Sequence, residues 1–388
     1  MKKKIYLIAV IIITAFCMIK LYKTNTKNEI KESRGVFISY IEFMKYFHNQ
    51  ESSQVEKEID NMINNISNYY FNRIYLQVRP FSDSIYKSNI FPSSYTVVEK
   101  QGDKLEIDIL DHFIKKARNK NIEIYAWINP YRISNDTDIN KISVTNPAYK
   151  WLNTNNVKVI EDKGIFYNPS SQEVIDLIVN GVQEIVTNYQ VDGILLDDYF
   201  YPNDSIDLEN YKKVQDTISL TDYRLNKVNE LISSIYKTVK NINPKIQFGV
   251  SPDGNINNNY EIHYADVKKW LSENNYIDFI MPQLYYGFNN EAKPYIKTLN
   301  EWNDLIKNDT KLIVALSIYK SGCIDKYAKS GKYEWIENDN IINKQIQVAR
   351  NIQNYTGYSI FRYDYLITTN SNPNLQGEIQ NYKNLFEI

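Results

Sequence analysis

The chain has 388 residues, an apolar fraction of 43% and a formal net charge of −1. That length admits one large barrel or two ordinary domains, with apolar content sufficient for a sizeable core. The near-zero charge excludes the basic field a nucleic-acid partner requires, and two cysteines, Cys17 and Cys323, exclude a disulfide framework because Cys17 sits in an N-terminal apolar run.

Tyrosine is abundant, with 33 copies, and a ring with a polar tip suits sugar stacking. The accompanying wealth of Asn, Ile and Lys points to codon bias as the main source of that excess. At the N-terminus, Lys2, Lys3 and Lys4 precede the apolar run Ile5–Ile19, and Lys20 follows it. A basic cap on an apolar stretch is an export signal. No small-x-small cleavage site stands out, and Phe16 before Cys17 does not fit a lipoprotein box. Residues 1–21 are therefore expected to be an uncleaved signal anchor first and a cleaved signal peptide second. The basic end stays inside, which places the remainder on the extracellular face of the cytoplasmic membrane, or free outside the cell if the signal is cleaved. Residues 22–33 read as a polar linker, and residues 34–388 as one folded domain.

Past Arg34, short β-rich runs alternate with helical patterns. Strands are predicted at Gly35–Tyr40, Arg73–Arg79, Ile122–Ile128, Gly193–Tyr199, Ile246–Pro252, Phe279–Tyr286, Leu312–Tyr319 and Gly357–Tyr363. Most are near-continuous apolar runs, as parallel strands covered on both faces require. Helices are predicted at Glu51–Tyr70, Ile107–Lys120, Gln172–Tyr189, Asp222–Lys240, Tyr264–Ser272, Pro294–Lys307 and Asn340–Tyr355. In the first, Val55, Ile59, Met62, Ile63 and Ile66 recur at helical spacing. Eight strand–helix units favour an α/β fold of the closed (β/α)8 TIM-barrel type. The alternative, an open doubly wound sheet, would usually carry a Gly-rich phosphate turn, and none is seen. Two βα connections are long: Pro80–Glu106 after strand two and Asn129 to about Ser171 after strand three. Both belong to the C-terminal face, where barrel enzymes build their sites.

Four segments leave predicted strands toward that face. The fullest is Asp192-Gly193-Ile194-Leu195-Leu196-Asp197-Asp198-Tyr199-Phe200-Tyr201-Pro202, an apolar strand ending in two acids and three aromatics. Glycoside hydrolysis needs two carboxyl groups, one to protonate the leaving oxygen and one to act as nucleophile or base. Successive strand residues point to opposite faces, so Asp197, sharing a face with Gly193 and Leu195, and Asp198 cannot both aim inward without a bulge. Asp197 is the preferred main actor, with Asp198 its neighbour in support or its partner. The second segment, Gln77-Val78-Arg79-Pro80-Phe81-Ser82-Asp83, offers Asp83 as the other carboxyl group and Arg79 as a carboxylate holder; an internal Arg–Asp brace is the competing reading. The third, Trp127-Ile128-Asn129-Pro130-Tyr131-Arg132, offers hydroxyl-binding groups, although Trp127 also reads as core. The fourth, Met281-Pro282-Gln283-Leu284-Tyr285, places Gln283 and Tyr285 at a strand end. Candidate substrate-binding residues are thus Gln77, Arg79, Asn129, Tyr131, Arg132, Tyr199, Gln283 and Tyr285. Asp253, after Ser251 and Pro252, is a weaker third acid. His48, His112 and His263 show no ligand spacing, so no metal is expected, and no organic cofactor is implied. There is no Gly-x-Ser-x-Gly elbow and no Walker loop.

Taken in order, these pieces resemble the bacterial "family 10 glycosylhydrolase" proteins, formerly domain of unknown function 187 and distinct from the xylanases that share the number. The resemblance runs from about Arg34 to Tyr319. It rests on Arg34-Gly35-Val36-Phe37-Ile38, Leu76-Gln77-Val78-Arg79-Pro80 with Asp83 and Tyr86, and Ala126 to Arg132. It continues through Asp192-Gly193-Ile194 into Asp197–Pro202, Gly249-Val250-Ser251-Pro252 and Pro282-Gln283-Leu284-Tyr285. Each piece is weak alone; their order and strand-end placement carry the match. The resemblance implies a TIM barrel acting on glycans, with bacterial cell-wall glycan as substrate for an exported member. A more distant likeness to the chitinase pattern breaks at Tyr199, which stands where that pattern has its catalytic Glu; this argues against substrate-assisted chemistry. At Asp253 the family more often carries an aromatic residue, which discounts Asp253 as a shared catalytic group.

The expected activity is hydrolysis of O-glycosidic bonds in a cell-wall or cell-surface polysaccharide, including peptidoglycan glycan strands, by a two-carboxylate mechanism. The rival readings are a non-catalytic, membrane-tethered glycan-binding barrel and a structural protein of the envelope. A binding barrel has no need of several strand-end carboxylates, and a structural protein has none of an acidic cleft.

Overall fold

The structure, a computed structural model, describes residues 32–197, 200–202, 205–367 and 372–387. The expected N-terminal anchor, most of the linker, Asp198 and Tyr199 lie outside the described residues. Eleven strands are present in the described chain: β1 (Ser33–Ile38), β2 (Arg73–Arg79), β3 (Glu123–Ile128), β4 (Arg132–Ser134), β5 (Val157–Ile160), β6 (Gly164–Tyr167), β7 (Gly193–Leu196), β8 (Gln247–Val250), β9 (Phe279–Ile280), β10 (Lys311–Ser317) and β11 (Tyr355–Phe361). Eight of them close in the order β1-β11-β10-β9-β8-β7-β3-β2. Every pairing round the ring is parallel, and a helix lies in each crossover, so the domain is a (β/α)8 barrel.

All eight predicted barrel strands are present. Six end earlier than predicted; among them β7 stops at Leu196, β8 at Val250 and β9, the most shortened, at Ile280. There the backbone leaves the regular ladder, and the residues that follow, Asp197, Ser251 and Gln283, turn to the barrel mouth. The predicted helices are likewise found, as Ser52–Asn68, Ile109–Arg118, Gln172–Asn188, Leu220–Ile242, Val267–Trp270, Tyr295–Leu305 and Ile341–Ala349. Ser52–Asn68 buries the five apolar residues whose spacing predicts it. Asp108, Ser171 and Ser219 cap three of the others, each side chain accepting from the amide three residues on. The helix Pro373–Lys383, whose Tyr382 packs on Tyr358 of β11 and stacks on Phe71, has no counterpart in the sequence reading; Asn372 and Pro373 mark its start.

Strand alternation divides the core in two. The larger cluster lies between strands and helices and takes Ile74, Leu76, Ile124, Ile194, Leu196 and Val250. The smaller fills the barrel itself with Phe37, Tyr75, Tyr125, Trp127, Leu195, Phe279, Met281, Ile313 and Ala315. Rings this large fit inside eight strands only if other inward positions are small. Gly193 and Gly249 serve that purpose: a Cβ on Gly193 would stand 2.2 Å from the Tyr125 ring, and one on Gly249 2.4 Å from Phe279. The connection after β3 is more ordered than its composition suggests, because β4, β6 and β5 form a small antiparallel sheet within it. Its partner loop after β2 is pinned to it by Ser82, whose hydroxyl donates to Asn146 (3.0 Å) and sits 2.5 Å from the Tyr167 hydroxyl.

Candidate active site at the barrel mouth

At the C-terminal end of the strands lies a pocket of about 430 Å3. All eight barrel strands contribute to it, through residues near or just past their C-terminal ends: Ser39 and Tyr40, Gln77, Asn129 and Arg132, Asp197, Ser251, Gln283 and Tyr285, Tyr319, and Phe361. Asp197 is the one carboxylate among the described residues lining it. It follows Leu195 onto the inward face, as alternation along β7 requires. Its Oδ2 accepts from Asn129 Nδ2 (3.1 Å) and Trp127 Nε1 (3.4 Å). Both donors stand on the neighbouring strand or its first loop residue, so the parallel ladder itself sets this triad.

The remaining walls are aromatic and amide. Tyr285, Tyr319 and Phe361 pack on one another with ring centroids 6.0–6.1 Å apart. Gln77 accepts from the Tyr40 amide (3.0 Å), which fixes its orientation, and Gln283 Nε2 donates to the Ser251 carbonyl (3.3 Å). Arg132 lies 4.8 Å from the Phe81 ring and 5.7 Å from Tyr40, with two of its nitrogens 3.4 Å from the Pro80 carbonyl. Rings for the C–H faces of a sugar and fixed amides for its hydroxyls surround one carboxyl group.

Of the residues singled out from sequence, Gln77, Asn129, Arg132, Asp197, Gln283 and Tyr285 meet in this pocket. Trp127, which also read as core, is both: it belongs to the inner cluster and lines the pocket floor. Three others lie elsewhere. Arg79 should face inward by parity with Tyr75 and Gln77, but the register between β2 and β3 shifts at Gln77/Arg79 and turns it out. Its guanidinium, 1% exposed, lies 3.7 Å from the Phe91 ring centroid and against Gly181 of the helix Gln172–Asn188. Burial lowers its pKa, against the opposing pull of Tyr86, Tyr167, Glu184 and Asp83. Asp83 is fully buried in the loop after β2 and accepts from Gln101 Nε2 (3.0 Å). Burial pushes its pKa up to about 6, while hydrogen bonds from Gln101, Ser94 and the Tyr95 amide and the charge of Arg79 pull the other way. Tyr131 is 0% exposed within the outer core. These three are buried in or beside the loops that build the wall and do not line it. Asp253 is also occupied: Asn255 N (2.8 Å) and Asn258 Nδ2 (2.9 Å) donate to it and His263 lies 3.8 Å away. Burial alone would raise its pKa; these partners together lower it.

Sequence reasoning passed over Ser39, Tyr319 and Phe361, although each falls at the end of a predicted strand. Among the described residues, no group of three or more His, Cys, Asp or Glu is placed to hold a metal ion, and no helix is long and apolar enough to cross a membrane.

Comparison with known proteins agrees with this architecture. Among solved structures, the glycoside hydrolase domain of PgaB (BpsB) from Bordetella bronchiseptica superposes with a TM-score of 0.57 at 11% identity, covering 90% of this chain and 98% of that one; this is a likeness of fold. Glycosyl hydrolase DigH of Escherichia coli (strain K12) is 29% identical over 351 residues, which span 82% of this chain and 76% of DigH. Glycosyl hydrolase YngK of Bacillus subtilis (strain 168) is 28% identical over 339 residues, 80% of this chain and 65% of YngK. The family model "Glycosyl hydrolase-like 10" matches residues 32–331, which takes in the barrel from β1 through β10 and every pocket residue except Phe361. The chain belongs to the glycosyl hydrolase-like 10 family.

Proposed function

We propose that this protein hydrolyses O-glycosidic bonds in a bacterial cell-wall or cell-surface polysaccharide, with Asp197 at the reacting centre. The observation that carries the reading is the placement of Asp197: a buried carboxylate at the mouth of a (β/α)8 barrel, held by Trp127 and Asn129 and ringed by Tyr40, Tyr285, Tyr319 and Phe361. Two relatives named as glycosyl hydrolases lend support. A two-carboxylate mechanism requires a partner, and Asp198, the next residue in the chain, is assigned that part on the condition that a bulge past Leu196 brings it to the inward face; Asp83 is withdrawn from it because the loop after β2 encloses it. One of Asp197 and Asp198 protonates the leaving oxygen and the other acts as nucleophile or base. The proposal includes export, with the apolar segment Ile5–Ile19 as the membrane anchor and the barrel on the outer face.

The test is digestion of purified wall glycans, with and without stem peptides, by wild type, Asp197→Asn and Asp198→Asn. Loss of at least about 100-fold in rate is expected for both. Wild-type rates in both variants would remove Asp197 and Asp198 from the chemistry. One observation favours a second reading, a non-catalytic glycan-binding barrel: among the described residues a single carboxylate lines the pocket. Retained glycan binding with no cleavage by wild type across a broad panel would select it.

A further inference from the structure

A second hollow, of about 710 Å3, opens beside the Asp197 pocket, and Asn129 and Arg132 line both. The two are therefore lobes of one cleft with a shared wall. Each volume alone falls within the range of roughly 300–1,000 Å3 usual for ligand sites. None of the residues unique to the second lobe takes part in the site described above. One side is the β5–β6 hairpin, with Phe166 on β6 and Lys163 at its tip; Lys163 Nζ donates to the Pro202 carbonyl (2.7 Å) and closes the hairpin onto the loop after β7. The other side is the segment from Glu261 to Tyr264, after the helix Ile256–Glu261.

Tyr264 is the best-determined part of this wall. Its ring meets Tyr201 edge to face at 5.0 Å. The Arg224 guanidinium lies 4.8 Å from the Tyr264 centroid and 5.5 Å from Tyr201, and Nη1 donates to the Tyr264 hydroxyl (2.7 Å). Asp207 holds Arg224 through two hydrogen bonds of 2.9 and 2.7 Å. Tyr264 also has a φ of +51°, a left-handed backbone that a bulky side chain adopts only when its surroundings over-determine it. A strained aromatic fixed at a cleft wall is the arrangement of a preformed ligand surface. The chemistry is that of a sugar site: Phe166, Pro202, Ile262 and Tyr264 offer apolar faces, and Arg132 and Lys163 offer donors opposite Glu261, the single acid among the described lining residues.

We infer that this lobe is a further sugar-binding subsite, so that the protein holds a chain extending past the Asp197 pocket and cuts within a polymer. This rests on the proposed glycosidase activity. The test uses reducing-end-labelled oligosaccharides of two to eight sugars prepared from purified wall glycan, with wild type and the double variant Lys163→Ala/Ile262→Ala, both exposed side chains, and thermal melts of the two proteins confirm an intact fold. Wild-type kcat/KM should climb at least about tenfold between the shortest and longest substrates, a gain of roughly 1.4 kcal/mol. The double variant should lose most of that climb while its rate on the shortest substrate stays within about twofold. A flat wild-type profile, or identical climbs in both proteins, overturns the subsite. If wild type cleaves none of the series, the glycosidase reading fails separately, and calorimetric binding of the same oligosaccharides decides: affinity that rises with length in wild type and not in the double variant upholds the subsite, and affinity independent of length removes it.

Discussion

Asn129 and Asp197 stand side by side because Ile128 of β3 pairs with Leu196 of β7, and each is the next residue of its strand. The hydrogen bond from Asn129 Nδ2 to Asp197 Oδ2, 3.1 Å long, is thus a product of sheet register and not of loop conformation. A donor placed this way favours the ionised carboxylate.

That relationship gives the first prediction. Hydrogen bonds to charged groups contribute about 1.5–3 kcal/mol, so Asn129→Ala should cut kcat on a cleaved glycan by roughly 10- to 100-fold. Loss of a donor to the ionised carboxylate favours protonation, so the limb of the pH–rate profile that Asp197 sets should move to higher pH. Asn129→Asp should be worse than Ala, since a second carboxylate 3 Å away sets like charges against each other. A profile with both limbs unaltered in Asn129→Ala would show that this bond does not tune the reacting group.

The second prediction concerns Asp83. Its carboxyl group titrates near 6 in the fold because burial disfavours its charge, against 3.8 ordinarily. Between about pH 4 and 6 the folded protein therefore keeps a proton that the unfolded chain has lost, and stability falls as pH rises through that window. A shift of this size corresponds to on the order of 3 kcal/mol. Asp83→Asn retains an acceptor for Gln101 and cannot ionise. Thermal melts should show the variant a few degrees more stable than wild type at pH 7.5, with the gap closing by pH 4. Glycan cleavage should persist in Asp83→Asn; its abolition would return Asp83 to the reaction.

Asp83 and Arg79 also mark where the sequence stops being readable. The barrel strands are legible because burial on both faces leaves runs such as Gly193-Ile194-Leu195-Leu196 with hardly a polar residue, and strict alternation then sends Asp197 inward without further information. Arg79 defeats the same rule: the slip at Gln77/Arg79 is a local matter of how β2 meets β3, and the residues there carry no mark of it. Asp83 fails for a different reason. A loop's acid is exposed or enclosed according to contacts such as Gln101 and Asn146 that arrive from 18 and 64 residues away, from Asp83 and Ser82 respectively. Tyr319 and Phe361 lie at or within two residues of the ends of predicted strands, but a strand-end ring, unlike a carboxylate, carries no chemistry that marks it from sequence.

The outward turn of Arg79 yields a third prediction. Gly181 lies in the helix Gln172–Asn188, where Ala is favoured over Gly by about 1 kcal/mol on intrinsic grounds. Here the sign should reverse. A Cβ on Gly181 would stand 2.3 Å from Arg79 Nη1 and 2.7 Å from the Phe91 ring, two groups already stacked on each other. Overpacking of this kind costs roughly 1–3 kcal/mol. Gly181→Ala should lower the denaturation midpoint, and Gly181→Ala with Arg79→Met should recover most of the loss. A stabilised Gly181→Ala protein would mean that Arg79 does not occupy this position.

The fourth prediction is for the ion pair behind the second lobe. Arg224 and Asp207 have side chains 2% and 0% exposed, and their fork-to-fork geometry leaves neither charge solvated. Desolvation offsets much of the attraction within such a pair, but removing one partner strands the other charge in the interior at a cost of about 3–5 kcal/mol. Arg224→Met should therefore be strongly destabilising, and Asp207→Asn less so, because an amide oxygen still accepts from the guanidinium. Combining Arg224→Met with Asp207→Asn removes both charges, and should be more stable than Arg224→Met alone even though it carries one more substitution. That inversion, measured by chemical denaturation, separates a buried charge pair from ordinary packing, in which the second change adds to the first. Arg224 also fixes the Tyr264 ring, so the double variant should be folded yet bind long oligosaccharides no better than short ones. A double variant with the wild-type length dependence would detach the ion pair from the subsite while leaving its part in stability intact.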